Sequence, residues 1–131
     1  MMFDFSNFER VGDFLVKIDD EAFKRSAISR YYYSLFDPVR LYLISVLNEG
    51  EFNYGGDFHR RISNRLISSD DNTEMALGLI LEELRQLRND ADYNGSLDCS
   101  YFDEKLVDVK ANLNIDFQQL NALKTSPPYR L

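Results

Sequence analysis

Apolar residues along this chain recur three and four positions apart, the spacing that lines one face of an α-helix. From about Ser6, a candidate N-cap, the first such stripe carries Phe8, Val11, Phe14, Leu15 and Ile18. Asp19 and Asp20 open a second stretch, about 20 to 48, with Phe23, Ala27, Tyr31, Leu35, Val39, Leu43 and Val46 along one side. Ile28, Tyr32, Phe36 and Leu41 wrap round its other sides, which marks it as the central helix, and Asn48, Glu49 and Gly50 mark its end. Pro38 falls inside it. Proline removes one backbone bond and crowds the preceding turn, so the pattern predicts a kink there and not a boundary.

Residues 51 to 56 read as a loop with paired glycines, after which Asp57 can cap a third helix through Phe58, Ile62, Leu66 and Ile67. A polar break, 68 to 72, places Asp70 or Asp71 to cap a fourth helix carrying Leu77, Ile80, Leu84, Leu87 and Ala91, which stops near Asn94 and Gly95. The fifth starts near Ser100 and sets Phe102, Leu106, Val109, Leu113, Phe117 and Leu120 on one stripe, ending at Ser126, Pro127 and Pro128. No segment alternates apolar and polar as a half-buried strand does. The fold class is all-α: one antiparallel, up-and-down bundle of about five helices with a kinked second helix and a loose tail from Thr125.

A chain of 131 residues, 44% hydrophobic, suits one domain with a proper core. The single cysteine, Cys99, cannot form an internal disulfide, and no cysteine pair suggests zinc. Neither a signal peptide nor an apolar run of the ~18 residues a membrane span needs is present, so the expectation is a soluble, cytoplasmic protein with no membrane partner. A net charge of −7 disfavours nucleic-acid binding by the whole surface, so any such contact needs a local basic patch.

The candidate chemistry is sparse. No glycine-rich phosphate loop occurs, because Gly55 and Gly56 lack the lysine and hydroxyl residue that would follow, and no cofactor is expected. Glu82 and Glu83, or Asp70, Asp71 and Glu74, read as solvated carboxylates and not as a metal site, since no Glu-x-x-His is present. His59, the only histidine, falls in the first turn of the third helix beside Arg60 and Arg61, where the dipole and both cations favour a neutral imidazole. It is either a functional residue, as a proton-transfer group or an RNA contact, or a structural polar residue bonding a neighbouring loop. Arg60, Arg61 and Arg65 form the candidate phosphate-binding patch, against the alternative that they balance an acidic surface. Tyr31, Tyr32 and Tyr33 face about 100° apart and cannot form one stacking platform, so they read as packing residues. Arg88 sits at the margin of its helix's apolar stripe, where a half-buried guanidinium needs a partner: Asp92, a phosphate or another subunit.

Three ordered motifs carry a resemblance. Arg25-Ser-Ala-Ile-Ser-Arg-Tyr-Tyr-Tyr-Ser-Leu-Phe36, with Arg40 following, resembles the second-helix signature of the HEPN domain. His59 resembles the histidine that often opens that family's third helix, and Arg88-Asn-Asp-Ala-Asp-Tyr93 resembles the Arg-x-x-Ala-Asp-Tyr ending of its fourth. The similarity spans roughly residues 6 to 123. It implies a helical bundle that commonly forms a homodimer, often in prokaryotic toxin–antitoxin, antiviral defence or RNA-processing systems, with an antitoxin or another protein as a further partner. Many members are metal-independent endoribonucleases whose arginine stabilises phosphate charge and whose histidine moves protons. Arg88 and Asn89 match the start of that catalytic motif, but Tyr93 fills the histidine position.

A tyrosine near pKa 10 is a poor base at neutral pH, although its hydroxyl can orient a phosphate. The sequence therefore leads to a HEPN-like dimer that binds RNA, a nucleotide or a protein through Arg88, Asn89 and Tyr93 without efficient catalysis. Two alternatives stand beside it: an active endoribonuclease using Arg88 with Tyr93 or His59, and a structural assembly subunit in which Asp92 locks Arg88.

Overall fold

The structure is a computed structural model and describes residues 3–53 and 57–125. Five α-helices account for most of them: α1 (Phe8–Val16), α2 (Glu21–Leu41), α3 (Phe58–Ile67), α4 (Asn72–Tyr93) and α5 (Cys99–Lys124). Among the described residues there is no strand, so the all-α bundle expected from the hydrophobic spacing is the observed class. Short links, 17–20, 68–71 and 94–98, join successive helices, and α2 packs against α1, α4 and α5 at once. No described helix is long and apolar enough to cross a membrane.

Caps set the helix starts. Asp20 accepts from the Ala22 and Phe23 N–H groups at the head of α2, and Asp71 accepts from the Glu74 N–H at the head of α4. Both satisfy donors that a helix leaves unpaired in its first turn. Two other starts differ from expectation. Asp4, not Ser6, caps the first turn, a short 3-10 segment (Phe5–Asn7) that leads into α1, and Asp98 caps α5 two positions before Ser100. Asp57 does precede α3, but in the left-handed conformation (φ 63°), and its carboxylate caps no N–H; its backbone carbonyl accepts from Arg61 instead. The paired glycines and the tail beyond Thr125 lie outside the described residues.

The central helix passes through Pro38 without ending. Its hydrogen bonding departs from α geometry one turn later, in a π-helical turn (Tyr42–Val46), and the chain reverses at Asn48, whose φ of 57° is the left-handed setting that commonly ends a helix. Its side chains form the middle of the core: Ala27, Ile28, Tyr31, Tyr32, Leu35 and Val39 are all buried. Around them stand Leu66 from α3, Leu77 and Leu81 from α4, and Phe102, Leu106 and Leu113 from α5.

The expected stripe of α1 is partly wrong. Phe14 is 63% exposed and Val11 also faces outward. The reason is Gly12, the buried residue of this helix, where an added Cβ would come within 2.6 Å of the Tyr31 ring. The close approach turns the glycine inward and carries Val11 and Phe14 away from the core. Phe23 and Val46, near the two ends of the central helical segment, are exposed as well.

A second close approach joins α3 to α4. A Cβ at Gly78 would lie 2.7 Å from Leu66 Cβ and 2.8 Å from the Ile67 backbone nitrogen, and backbone cannot move aside as a flexible side chain can. Gly78→Ala is therefore expected to destabilise the fold by about 1–3 kcal/mol despite alanine's higher helix propensity. Urea unfolding of the two proteins measures this; an alanine variant as stable as the parent would show that the two helices are not held this close.

Candidate functional site

Side chains from three helices meet on one side of the bundle. The central helix α2 contributes Tyr32, Tyr33 and Phe36; α3 contributes His59 in its first turn; α4 contributes Arg85, Arg88 and Asn89. The Tyr32 hydroxyl and His59 Nδ1 are 2.7 Å apart. Phe36 stacks on the imidazole at 4.4 Å between centroids, and Tyr33 meets it edge-on at 5.7 Å. His59 is thus enclosed by three aromatic rings, two of them belonging to the tyrosine run.

The charges of this cluster follow from that enclosure. Burial is the main cause holding the imidazole below its ordinary pKa, and the charges of Arg88 and Arg85 add to it. Burial likewise raises the Tyr32 hydroxyl, which stays protonated. Donor and acceptor roles in their bond depend on the imidazole tautomer. When Tyr32 donates to Nδ1, the proton of the neutral ring sits on Nε2.

Arg88 lies across the same tyrosines, its guanidinium carbon 5.8 Å from the Tyr32 ring and 5.7 Å from the Tyr33 ring. No hydrogen bond joins it to His59; the two share rings and an electrostatic interaction. It has one ordinary hydrogen bond, 3.1 Å to Asn89 Oδ1, and two long contacts, 3.4 Å to the Tyr33 hydroxyl and 3.5 Å to Asp92. Its Nε is buried and has no hydrogen-bond partner among the described residues. This guanidinium is held more loosely than those of Arg85 and Arg25. Arg85 sits 2.6 Å from Glu82, and Arg25 has five hydrogen bonds, four of them to carbonyls at and beyond the end of α4. The cleft side of Arg88 is therefore neither locked by Asp92 nor fully satisfied.

The remaining sequence candidates divide. Asn89 is beside Arg88 and accepts from its Nη2, so it positions the guanidinium. Tyr93 is 80% exposed and makes no hydrogen bond or ring contact with Arg88 or His59. Residues five apart on a helix point about 140° apart, which turns Tyr93 away from the Arg88 face within one chain. Arg65 is drawn into the fold: Glu49 takes its fork at 2.7 Å twice, and the buried Glu74 takes a third bond at 3.2 Å. Arg61 donates to the Glu51 carbonyl and lies over Phe52, while Arg60 is exposed, with only a 3.9 Å ion pair to Asp57. The three arginines thus do not form one open patch. Sequence reading missed Arg85, Phe36 and the Tyr32–His59 bond. The available signal was position, since Arg85 precedes Arg88 by one helical turn and Phe36 follows Tyr32 by one.

Because His59 is the sole histidine, its ring gives one titrating resonance. A lowered native pKa means that the unfolded chain takes the proton first as pH falls through about 6.5, so stability linked to this group is lost below that value. By nuclear magnetic resonance the midpoint is expected below 6.5, and Arg88→Gln is expected to move it upward by removing a nearby positive charge. A parent midpoint at or above 6.5 would contradict the enclosed, neutral ring.

No protein-family model and no solved structure matches the chain. Among curated proteins it is similar to an uncharacterized protein of Methanocaldococcus jannaschii, 25% identical over an alignment of 143 positions that takes in 97% of this chain and 80% of the relative.

Proposed function

We propose that this chain is a HEPN-like helical protein that acts as a homodimer and binds the phosphates of RNA or a nucleotide at Arg88, without efficient catalysis, in a prokaryotic defence or toxin–antitoxin setting. The observation that carries this reading is the state of Arg88: half-buried, laid against Tyr32 and Tyr33, with one ordinary hydrogen bond, two long polar contacts and an unpartnered Nε. A buried cation of this kind gains most from an acceptor brought by a ligand, because charge-assisted bonds to a phosphate are strong and guanidinium geometry suits them. Arg85 adds positive potential, and Asn89 fixes one edge of the fork. The three motifs shared with HEPN domains supply the dimer and the biological setting.

Tyr93 weighs against catalysis, since it replaces the motif histidine and points to solvent in the single chain. One observation favours the endoribonuclease alternative: His59 is neutral and near Arg88, the state a general base requires. To act as that base at Nε2, the ring must carry its hydrogen on Nδ1 and donate it to the Tyr32 hydroxyl oxygen, the other tautomer of the same 2.7 Å bond.

A labelled pool of single-stranded and structured RNA, incubated with the purified protein in EDTA, separates the readings. Binding by fluorescence anisotropy is expected to weaken about tenfold in Arg88→Ala, the scale of one charged hydrogen bond, with the RNA left intact. The salt dependence of binding should flatten by about one phosphate contact in the same variant. Cleavage abolished by both Arg88→Ala and His59→Ala would replace binding by the endoribonuclease. An Arg88→Ala protein that binds RNA as tightly as the parent would sink both.

A further inference from the structure

A second site lies between α4 and α5, and none of its lining residues belongs to the Arg88 cluster. The two helices diverge enough to leave a cavity of about 290 Å³. That volume falls near the lower end for small-molecule sites. Leu84 and Leu87 form one wall, and Val109 and Ile115 the other.

Asp116 lines this cavity, a residue only 5% exposed whose carboxylate oxygens keep some access to solvent and have no hydrogen bond or ion pair among the described residues. Buried carboxylates are ordinarily paired or hydrogen-bonded, because an isolated charge in a low-dielectric interior is costly. One turn further along α5, Gln119 turns a buried Oε1 that also lacks a partner, and it lines the same cavity. A buried, unpartnered Oε1 and a carboxylate with no protein partner in one space suit a donor that the described chain does not provide. Nor does a neighbouring cation supply it. Lys105 is the only basic residue on the lining, and it stands eleven positions before Asp116, about 16 Å along the helix. Its ammonium lies over the Tyr101 ring. Glu83 from α4 and Asp108 from α5 add negative charge at the rim.

We propose that this cavity binds a small organic cation, its ammonium or guanidinium head donating to Asp116 and Gln119 Oε1 and its apolar stem lying along Leu84, Leu87, Val109 and Ile115. A bare metal ion fits less well, because no three acidic, histidine or cysteine side chains converge here or elsewhere among the described residues. Burial, with the Glu83 charge added, raises the Asp116 carboxyl to about 6. A bound cation favours the ionised form, so binding strengthens as pH rises through that value and fades below it.

Butylamine and butylguanidine, each a four-carbon stem with a donating cationic head, are suitable probes. Butanol and tetramethylammonium are the controls that lack the charge and the N–H donors. Calorimetric titration of the full chain is expected to give saturable uptake of one equivalent of either cation and none of the controls. Asp116→Asn, close to isosteric, should weaken that uptake by about tenfold or more, the loss of a charge-assisted bond. Amide resonances of Leu84, Asp116 and Gln119 should shift with butylamine in the parent protein, a readout that needs no variant. The proposal is overturned by the absence of saturable uptake, or by uptake undiminished in a folded Asp116→Asn. A dimer that dissociates on Asp116→Asn without taking up amine would overturn it too, and would assign the cavity to a second copy of the chain.

Discussion

From Ala27 to Leu41 the central helix has no exposed residue, and this constraint organises the molecule. A polar group on an enclosed helix must find a protein partner or remain unsatisfied. Three tyrosine hydroxyls on the central segment meet that demand in three directions. Tyr31 donates to Asp13 on α1, Tyr32 pairs with His59 on α3, and Tyr42, in the π turn, donates to Glu74 on α4. Each ring fills the core while its oxygen fastens a different neighbour, which is the use to which buried tyrosine is best suited. The 100° step between Tyr31 and Tyr32 denies them a shared stacking surface and lets them reach separate helices.

Arginines complete the same task at the ends of the helices. Arg25 sits over Phe102 and donates to the carbonyls of Asp90, Ala91, Asn94 and Leu97. It closes the C-terminal end of α4, where carbonyls have no intrahelical donors, and joins that end to the start of α5. Arg65 ties Glu49 and Glu74 together behind the loop after the π turn. Arg40, Arg61 and Arg85 also have close polar partners within the chain. Arg88 stands out because the surrounding side chains position it without satisfying it, one turn before the helix end that Arg25 secures.

Much of this fold was legible in the residues because its signals are local. The caps at Asp20 and Asp71 and the stop at Asn48 depend on a few neighbouring positions, and so does the 3.6-residue stripe of α4. Several failures arose where a distant contact decides. Gly12 faces inward because Tyr31, nineteen positions away in sequence, needs the room; periodicity alone prefers Val11 and Phe14. Arg65 reads as a surface cation until Glu49 and Glu74 are brought to it. In the candidate site, Arg88, Asn89 and His59 were legible by residue type and order. The aromatic enclosure of His59 was not, because Phe36 and Tyr33 reach it only after α2 and α3 pack. Tyr93 was included through motif order, whereas helix geometry separates it from Arg88.

The two glycine contacts also bear on how kinship with this chain is recognised. Gly12 lies against an aromatic ring and Gly78 against another helix's backbone, so each records a distance between helix axes and not a chemical task. A protein that has changed its substrate, or lost any activity, still needs those distances if it keeps this arrangement. At 25% identity, with the relative itself uncharacterized, agreement at functional side chains is a weak guide to ancestry. A small residue opposite the first tyrosine of the run, and another where the third and fourth helices touch, would be the more durable fingerprint of common descent.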